Sequence, residues 1–299
     1  MHNETTILNI LGGIANNTQS ASSSSNLQFD RRRFTGPDNS YPFKDFPGET
    51  YPIKTQGSTR PDGRSNSEIR SMDIKLGPVF QANGSCYLEV GKTKIICAAY
   101  GPKPRSSLPS SSSPLSISVR FTPFSLPGGR WNPLNLGTLE STISQALHQS
   151  LTPAILATTK TDSLPIVDLH LTIIEWDSPI SVGHCVLASS LSLALASVPI
   201  IGLVIGVTAG LPSPSSSSQE PLVDPTLHET SSLSSILDLS YIPAMKSVTN
   251  MSLRSISDIK TGSIDLDKFD DLLDYCKSKA EIMHELAINA IKESNLYNL

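Results

Sequence analysis

From Ser178 to Gln219 the chain carries no Asp, Glu, Lys or Arg. Its apolar parts, Val182 to Ser197 and Ile200 to Thr208, call for burial in a protein core or in a bilayer. The part from Cys185 to Gly210 is long enough to span a membrane. Pro199 breaks it in the middle, however, and Ser189, Ser190, Ser192 and Ser197 interrupt its apolar faces. No Lys or Arg flanks it to set an orientation. It therefore reads as a buried helix over Val182 to Ser197 followed by a buried strand over Ile200 to Thr208, and no membrane partner is expected. The lack of cations extends further, since there is no Lys or Arg from Thr161 through Met245. Any anion bound in this half is expected to rely on backbone N–H groups and His, without a guanidinium clamp.

The 299 residues hold 23 Lys+Arg and 27 Asp+Glu, a net charge of -4. Mild acidity excludes a globally basic nucleic-acid coat, so any RNA contact has to come from a local patch. Cys86, Cys97, Cys185 and Cys276 are scattered without a C-x-x-C pair, which fits a reducing compartment and Cys used as a small apolar residue. The first residues lack the basic start and long apolar core of a secretory signal. Neither a cofactor nor a metal site is expected. Gly91-Lys92-Thr93 lies between two strand-like runs and lacks the earlier glycine of a phosphate-binding loop. His184 and Cys185 are adjacent on a predicted helix and point about 100° apart, so they cannot act as base and nucleophile. Glu281, His284 and Glu285 fit an exposed polar helix face.

Residues 1–59 read as an extended arm. They contain the run Ser22 to Ser25, the basic knot Arg31-Arg32-Arg33, and Pro37, Pro42, Pro47 and Pro52 among aromatics such as Phe29, Phe34, Tyr41 and Phe43. An extended segment with spaced aromatics and no fold of its own suits docking on a partner, with Arg31, Arg32, Arg33, Phe34 and Pro37 as candidate contacts. The folded body is expected over 60–299. Ser85 to Val90 and Lys94 to Tyr100, joined by Gly91-Lys92, form a predicted hairpin. Leu115 to Phe121 alternates as a strand, and so does Val167 to Ile173. Between them, Leu139, Ile143, Leu147 and Leu151 stripe a helix over Gly137 to Leu156. Ile236 to Ile242 and Val248 to Leu253 are further strands. Ile264 to Ala290 forms a long terminal helix, and Ser106–Ser113 and Pro212–Ser218 are loops. Hairpins mixed with long crossovers predict an α+β sandwich. Of the amino-half cations, Lys103, Arg105 and Arg130 lie in predicted loops at strand ends and are the candidates for an RNA-facing patch.

Arg60-Pro61-Asp62-Gly63-Arg64, followed by Gly84 through Pro102, resembles the opening of the RNase PH family. Phe121 to Ser125 is similar to its next strand end, Ser189 to Ala196 to its small-residue helix, and Val223-Asp224-Pro225-Thr226 with Glu229 to its acidic turn. Asp30 to Pro37 resembles the N-terminal signature of one ring-subunit type of the eukaryotic RNA exosome, the mRNA transport regulator type. The resemblance implies a duplicated β-α sandwich with sheets packed on central helices. It also implies heterodimers with other RNase PH-like subunits in a six-membered ring, S1- and KH-domain caps, and RNA passing through the channel to separate hydrolytic 3'-5' exoribonucleases. A nuclear, nucleolar and cytoplasmic location follows from it.

Departures from the family pattern predict a catalytically silent member. Active relatives hold phosphate with an Arg-bearing turn at the entry to the central helix, where this chain has Ser181-Val182-Gly183-His184. A neutral His cannot replace a bidentate guanidinium on phosphate. Asp224 and Glu229 match the acidic cluster, but the strand that follows is apolar apart from Asp238. His184, Asp224 and Glu229 are thus expected to be remnants of a degenerate site, with Asp224 serving mainly as a turn residue before Pro225. The alternative is an active phosphorolytic 3'-5' exoribonuclease.

Overall fold

The computed structural model describes residues 60, 62–103, 114–125, 133–156, 166–177, 182–212, 220–255 and 266–297. Arm residues 1–59 and the predicted loops at 106–113 and 213–218 lie outside the described residues. Two sheets form the frame. The first has the order β1-β2-β3-β5-β4, with β1 (Met72–Leu76), β2 (Gly84–Val90), β3 (Thr93–Lys103), β4 (Leu115–Phe121) and β5 (Ile166–Glu175). Its strands are antiparallel except β4 and β5, which run parallel. The second has the order β7-β6-β8-β9 and is antiparallel throughout, with β6 (Ile205–Pro212), β7 (Leu222–Val223), β8 (Leu233–Ile242) and β9 (Ser247–Ser255). Helix α1 (Pro133–Leu151) packs on β4 and β9, α2 (Gly183–Leu195) lies between the sheets, and α3 (Leu266–Tyr297) covers β6, β8 and β1.

The uncharged stretch is explained by α2. Gly183 through Leu193 are all buried, because α2 touches β2 and β3 on one side and β6 and β8 on the other. Its serines, an obstacle to a bilayer span, are satisfied inside the protein. Ser192 Oγ donates to Ala188 O (2.8 Å) and Cys97 O (3.2 Å), and Ser190 Oγ accepts from Val204 N (2.8 Å). Two glycines let the sheets approach this closely. A Cβ on Gly84 would sit 2.3 Å from Ser192 O, and one on Gly206 would sit 2.4 Å from Gly183 O. No described helix is long and apolar enough to cross a membrane.

The predicted hairpin, β4, β5, β8, β9 and the three helices are present. Two predicted boundaries are corrected. Helix α1 stops at Leu151, because Pro153 sits in a following 3-10 turn over Thr152–Ala154. The strand predicted over Ile200 to Thr208 starts only at Ile205, since Ser197 adopts a positive φ of 57° and Ile200 makes an isolated bridge to Ile155. Strands β1 and β7 were not legible. The first has only five residues, two of them charged, and the second has two residues.

Candidate functional site

The segment from Arg60 to Arg70 precedes β1 and crosses to the carboxy half. Asn66 O accepts from Val223 N (3.0 Å), which pairs this segment with β7. The pairing delivers two arginines to the turn after β7. Arg70 Nε and Nη2 donate to Asp224 Oδ2 and Oδ1 at 2.7 and 2.5 Å. Arg60 Nε and Nη2 donate to Glu229 Oε1 and Oε2, both at 2.7 Å, and its Nη1 reaches Val223 O (2.7 Å). All four side chains are at most 6% exposed.

Asp224 is therefore more than a turn residue, which corrects the expectation. It has a positive φ of 50°, consistent with a turn before Pro225. Its N–H donates to Thr208 O (2.8 Å), and its carboxylate anchors the crossing segment. The expectation of no guanidinium in this half is overturned as well, because the missing cations arrive from the amino half. Glu229 closes a short turn by accepting from Thr226 N (2.8 Å). Burial pushes both carboxyls up, but His184 and the Arg70 bonds hold Asp224 far below the usual carboxylate range. Arg60 and the Thr226 N–H likewise hold Glu229 down.

His184 enters from the first turn of α2, its Nε2 lying 3.4 Å from Asp224 Oδ1. Burial lowers its pKa to about 4, so it is neutral at pH 7 despite that carboxylate. Its Nδ1 is buried without a hydrogen-bond partner among the described residues. The three residues singled out from the sequence, His184, Asp224 and Glu229, thus meet at one place. Asp238 sits on the adjoining strand, where Thr208 Oγ1 donates to it (2.7 Å) and Arg254 pairs with its other oxygen; burial raises its pKa. A cavity of about 10 Å³ remains among Ile69, His184, Thr208, Asp224 and Met283. That volume is about one water molecule. Each of the three carboxylates here is engaged by an arginine. Among the described residues no group of three or more His, Cys, Asp or Glu could hold a metal ion.

Of the RNA-path candidates, Lys103 is described and Arg105 and Arg130 lie outside the described residues, as do Arg31, Arg32, Arg33, Phe34 and Pro37. Lys103 Nζ lies 2.8 Å from Asp168 Oδ2 and 5.9 Å from the centre of the Tyr100 ring, at the end of β3. Its side chain is 56% exposed, so the charge faces solvent. Sequence reasoning missed Arg60 and Arg70 as site residues. Their partners lie more than 150 positions away, and no local pattern carries that pairing.

Comparison with known proteins gives a consistent result. Residues 68–199 match the RNase_PH family, described as "3' exoribonuclease family, domain 1". The "Putative exosome complex component RRP41" of Caenorhabditis briggsae is 32% identical over 184 residues, 60% of this chain and 72% of that protein. The "Exosome complex component Rrp41" of Pyrobaculum islandicum is 30% identical over 241 residues, 79% of this chain and 91% of that protein. The crystal structure of rice (Oryza sativa) Rrp46 superposes with a TM-score of 0.61 at 18% identity, covering 78% of this chain and 100% of that one, a likeness of fold.

Proposed function

The chain belongs to the RNase PH family, whose relatives here are exosome components, and on that premise we propose that it is a non-catalytic subunit of an RNA exosome ring. Its task in this reading is assembly of the core that channels RNA to associated 3'-5' exoribonucleases. One observation carries the loss of catalysis. Asp224 and Glu229 are each clamped by a buried arginine of the chain itself, and only a small cavity of about 10 Å³ lies beside Asp224. Phosphorolysis uses inorganic phosphate as nucleophile and needs positive charge aimed at it. Here Arg70 is already occupied by Asp224, and His184 is neutral.

The partners in this reading are RNase PH-like ring neighbours, S1- and KH-domain caps and RNA in the channel. Lys103, Arg105 and Arg130 contribute to the RNA path. The arm docks on a neighbour or a cap, and its Asp30 to Pro37 signature favours the mRNA transport regulator type of subunit. The location is nucleus, nucleolus and cytoplasm, where RNA is processed and decayed.

The second reading, a phosphorolytic 3'-5' exoribonuclease, is favoured by the family's description as 3' exoribonucleases. Incubating the purified full chain with single-stranded RNA and inorganic phosphate separates the two. No nucleoside diphosphate is expected. Its release, abolished by Asp224→Asn, overturns the non-catalytic reading.

A further inference from the structure

Helix α3 carries two apolar rows, and the described fold buries one of them. Leu272, Cys276, Ala280, Met283 and Ala287 recur at spacings of three and four and are buried where α3 packs on β6, β8 and β1. Tyr275, Ile282 and Leu286 form the second row. At about 100° per residue they lie within about 40° of one another around the axis. Tyr275 is half-buried, whereas Ile282 and Leu286 are 47% and 46% exposed. Lys279 lies between them in sequence and holds its Nζ 5.3 Å from the centre of the Tyr275 ring. Glu281 and Glu285 are exposed on the solvent side of the row.

This row begins where the chain enters the folded body. Arg60 is fixed by Glu229 and by Val223 O. Tyr275 shares a hydrogen bond with Ser67 and lies within reach of the Arg60 charge. The residues before Arg60 therefore leave from beside the row. Seven positions separate Ile53 from Arg60, a reach of up to about 23 Å. Tyr275 to Leu286 is about 16 Å along the helix, so the segment 41–59 is long enough to follow it. Its sequence suits such a seat. Tyr41, Phe43, Phe46, Tyr51 and Ile53 need cover from water, and Pro42, Pro47 and Pro52 lower the entropy lost on ordering. Tyr51 precedes a proline, which favours extended backbone, and in an extended chain Tyr51 and Ile53 share a side about 6.5 Å apart. Ile282 and Leu286 are about 6 Å apart along the axis. Lys54 follows Ile53 and brings charge opposite to Glu281 and Glu285.

We propose that residues 41–59 dock on the exposed row of their own α3, with Tyr51 and Ile53 seated on Ile282 and Leu286. The inference goes beyond the ring reading and does not depend on it. Seated this way, the segment covers the largest apolar side chains left exposed on α3. It also gives the more distant Asp30 to Pro37 a fixed point of departure. A second copy of this chain is the competing occupant.

The test uses the purified full chain, mixed in equal parts with isotope-labelled chain and treated with a short amine-reactive cross-linker. Lys54 is expected to link to Lys279 within one chain, so that linked peptides carry a single label. Two double variants then remove the seat from either side, Tyr51→Ser with Ile53→Ser and Ile282→Asp with Leu286→Asp. Each is expected to lower the yield of that link about fivefold or more and to speed tryptic cutting after Lys54 about tenfold. If the helix variant melts below wild type, the arm variant decides, because it leaves every residue of the folded body in place. Wild-type yield and cutting rate in the arm variant, or no such link in wild type, overturn the proposal. Linked peptides that mix the labels assign the row to a second copy and overturn the proposed occupant. Each of these results leaves the ring reading standing.

Discussion

The half from Arg60 to Glu175 and the half from Gly183 to Tyr297 both build a sheet against the same central helix, but they differ in charge. The first holds the buried arginines Arg60 and Arg70, and the second holds the buried carboxylates Asp224, Glu229 and Asp238. Two of those carboxylates are neutralised across the seam by Arg60 and Arg70, and only Asp238 finds its arginine, Arg254, within its own half. Buried charge is tolerated only when paired and hydrogen-bonded. The seam is therefore where the halves depend on each other.

If the seam is structural in this sense, removing one partner should cost more than any surface change. Arg70→Ala leaves Asp224 buried and uncompensated, and should lower unfolding stability by about 3–5 kcal/mol in urea titration. A loss below about 1 kcal/mol would mean that Asp224 is solvated and the seam is open. His184 gives the next largest effect. Its folded pKa of about 4 lies below the ordinary 6.5, so the unfolded chain takes up the proton first as pH falls. Its contribution is fully present above pH 6.5 and is lost between 6.5 and about 4, amounting to about 3 kcal/mol. Asp224, also depressed, loses its contribution at still lower pH. His184→Gln should flatten the melting-temperature profile between pH 6.5 and 4 and leave the more acidic limb in place.

The contact between α2 and the second sheet is tested by Gly206→Ala. The added methyl meets the backbone of Gly183 at 2.4 Å, and overpacking of this kind should cost about 1–3 kcal/mol, read from thermal unfolding. The smallest effect belongs to the surface. Lys75→Ala removes an ion pair whose side chains are 66% and 56% exposed, and should move stability by no more than about 0.5 kcal/mol. A result comparable with Arg70→Ala would erase the distinction between seam and surface.

Much of the fold was legible because the relevant signals are local. Alternation marks β4 and β5, the Gly91-Lys92 turn marks the hairpin, and spacing of four marks α1. Strand β1 was missed although Met72, Ile74 and Leu76 alternate with Asp73 and Lys75, because five residues give the alternation little length, and β6 began late because Ser197 and the turn after it take up residues that look strand-like. At the site, His184, Asp224 and Glu229 could be named from their own surroundings in the chain. Arg60 and Arg70 could not, since a cation in an extended segment gives no sign of which distant carboxylate it will meet.

By itself the chain marked Val182 to Ser197 as a helix to be buried, since it offers no charged face to water. It also determined that the carboxy half holds no phosphate-binding arginine of its own before Lys246. Only the tertiary structure decided what happens to the carboxylates there. Folding brings the Arg60 to Arg70 segment against β7, and ion pairing in a buried seam depends on distance in space rather than on separation along the chain.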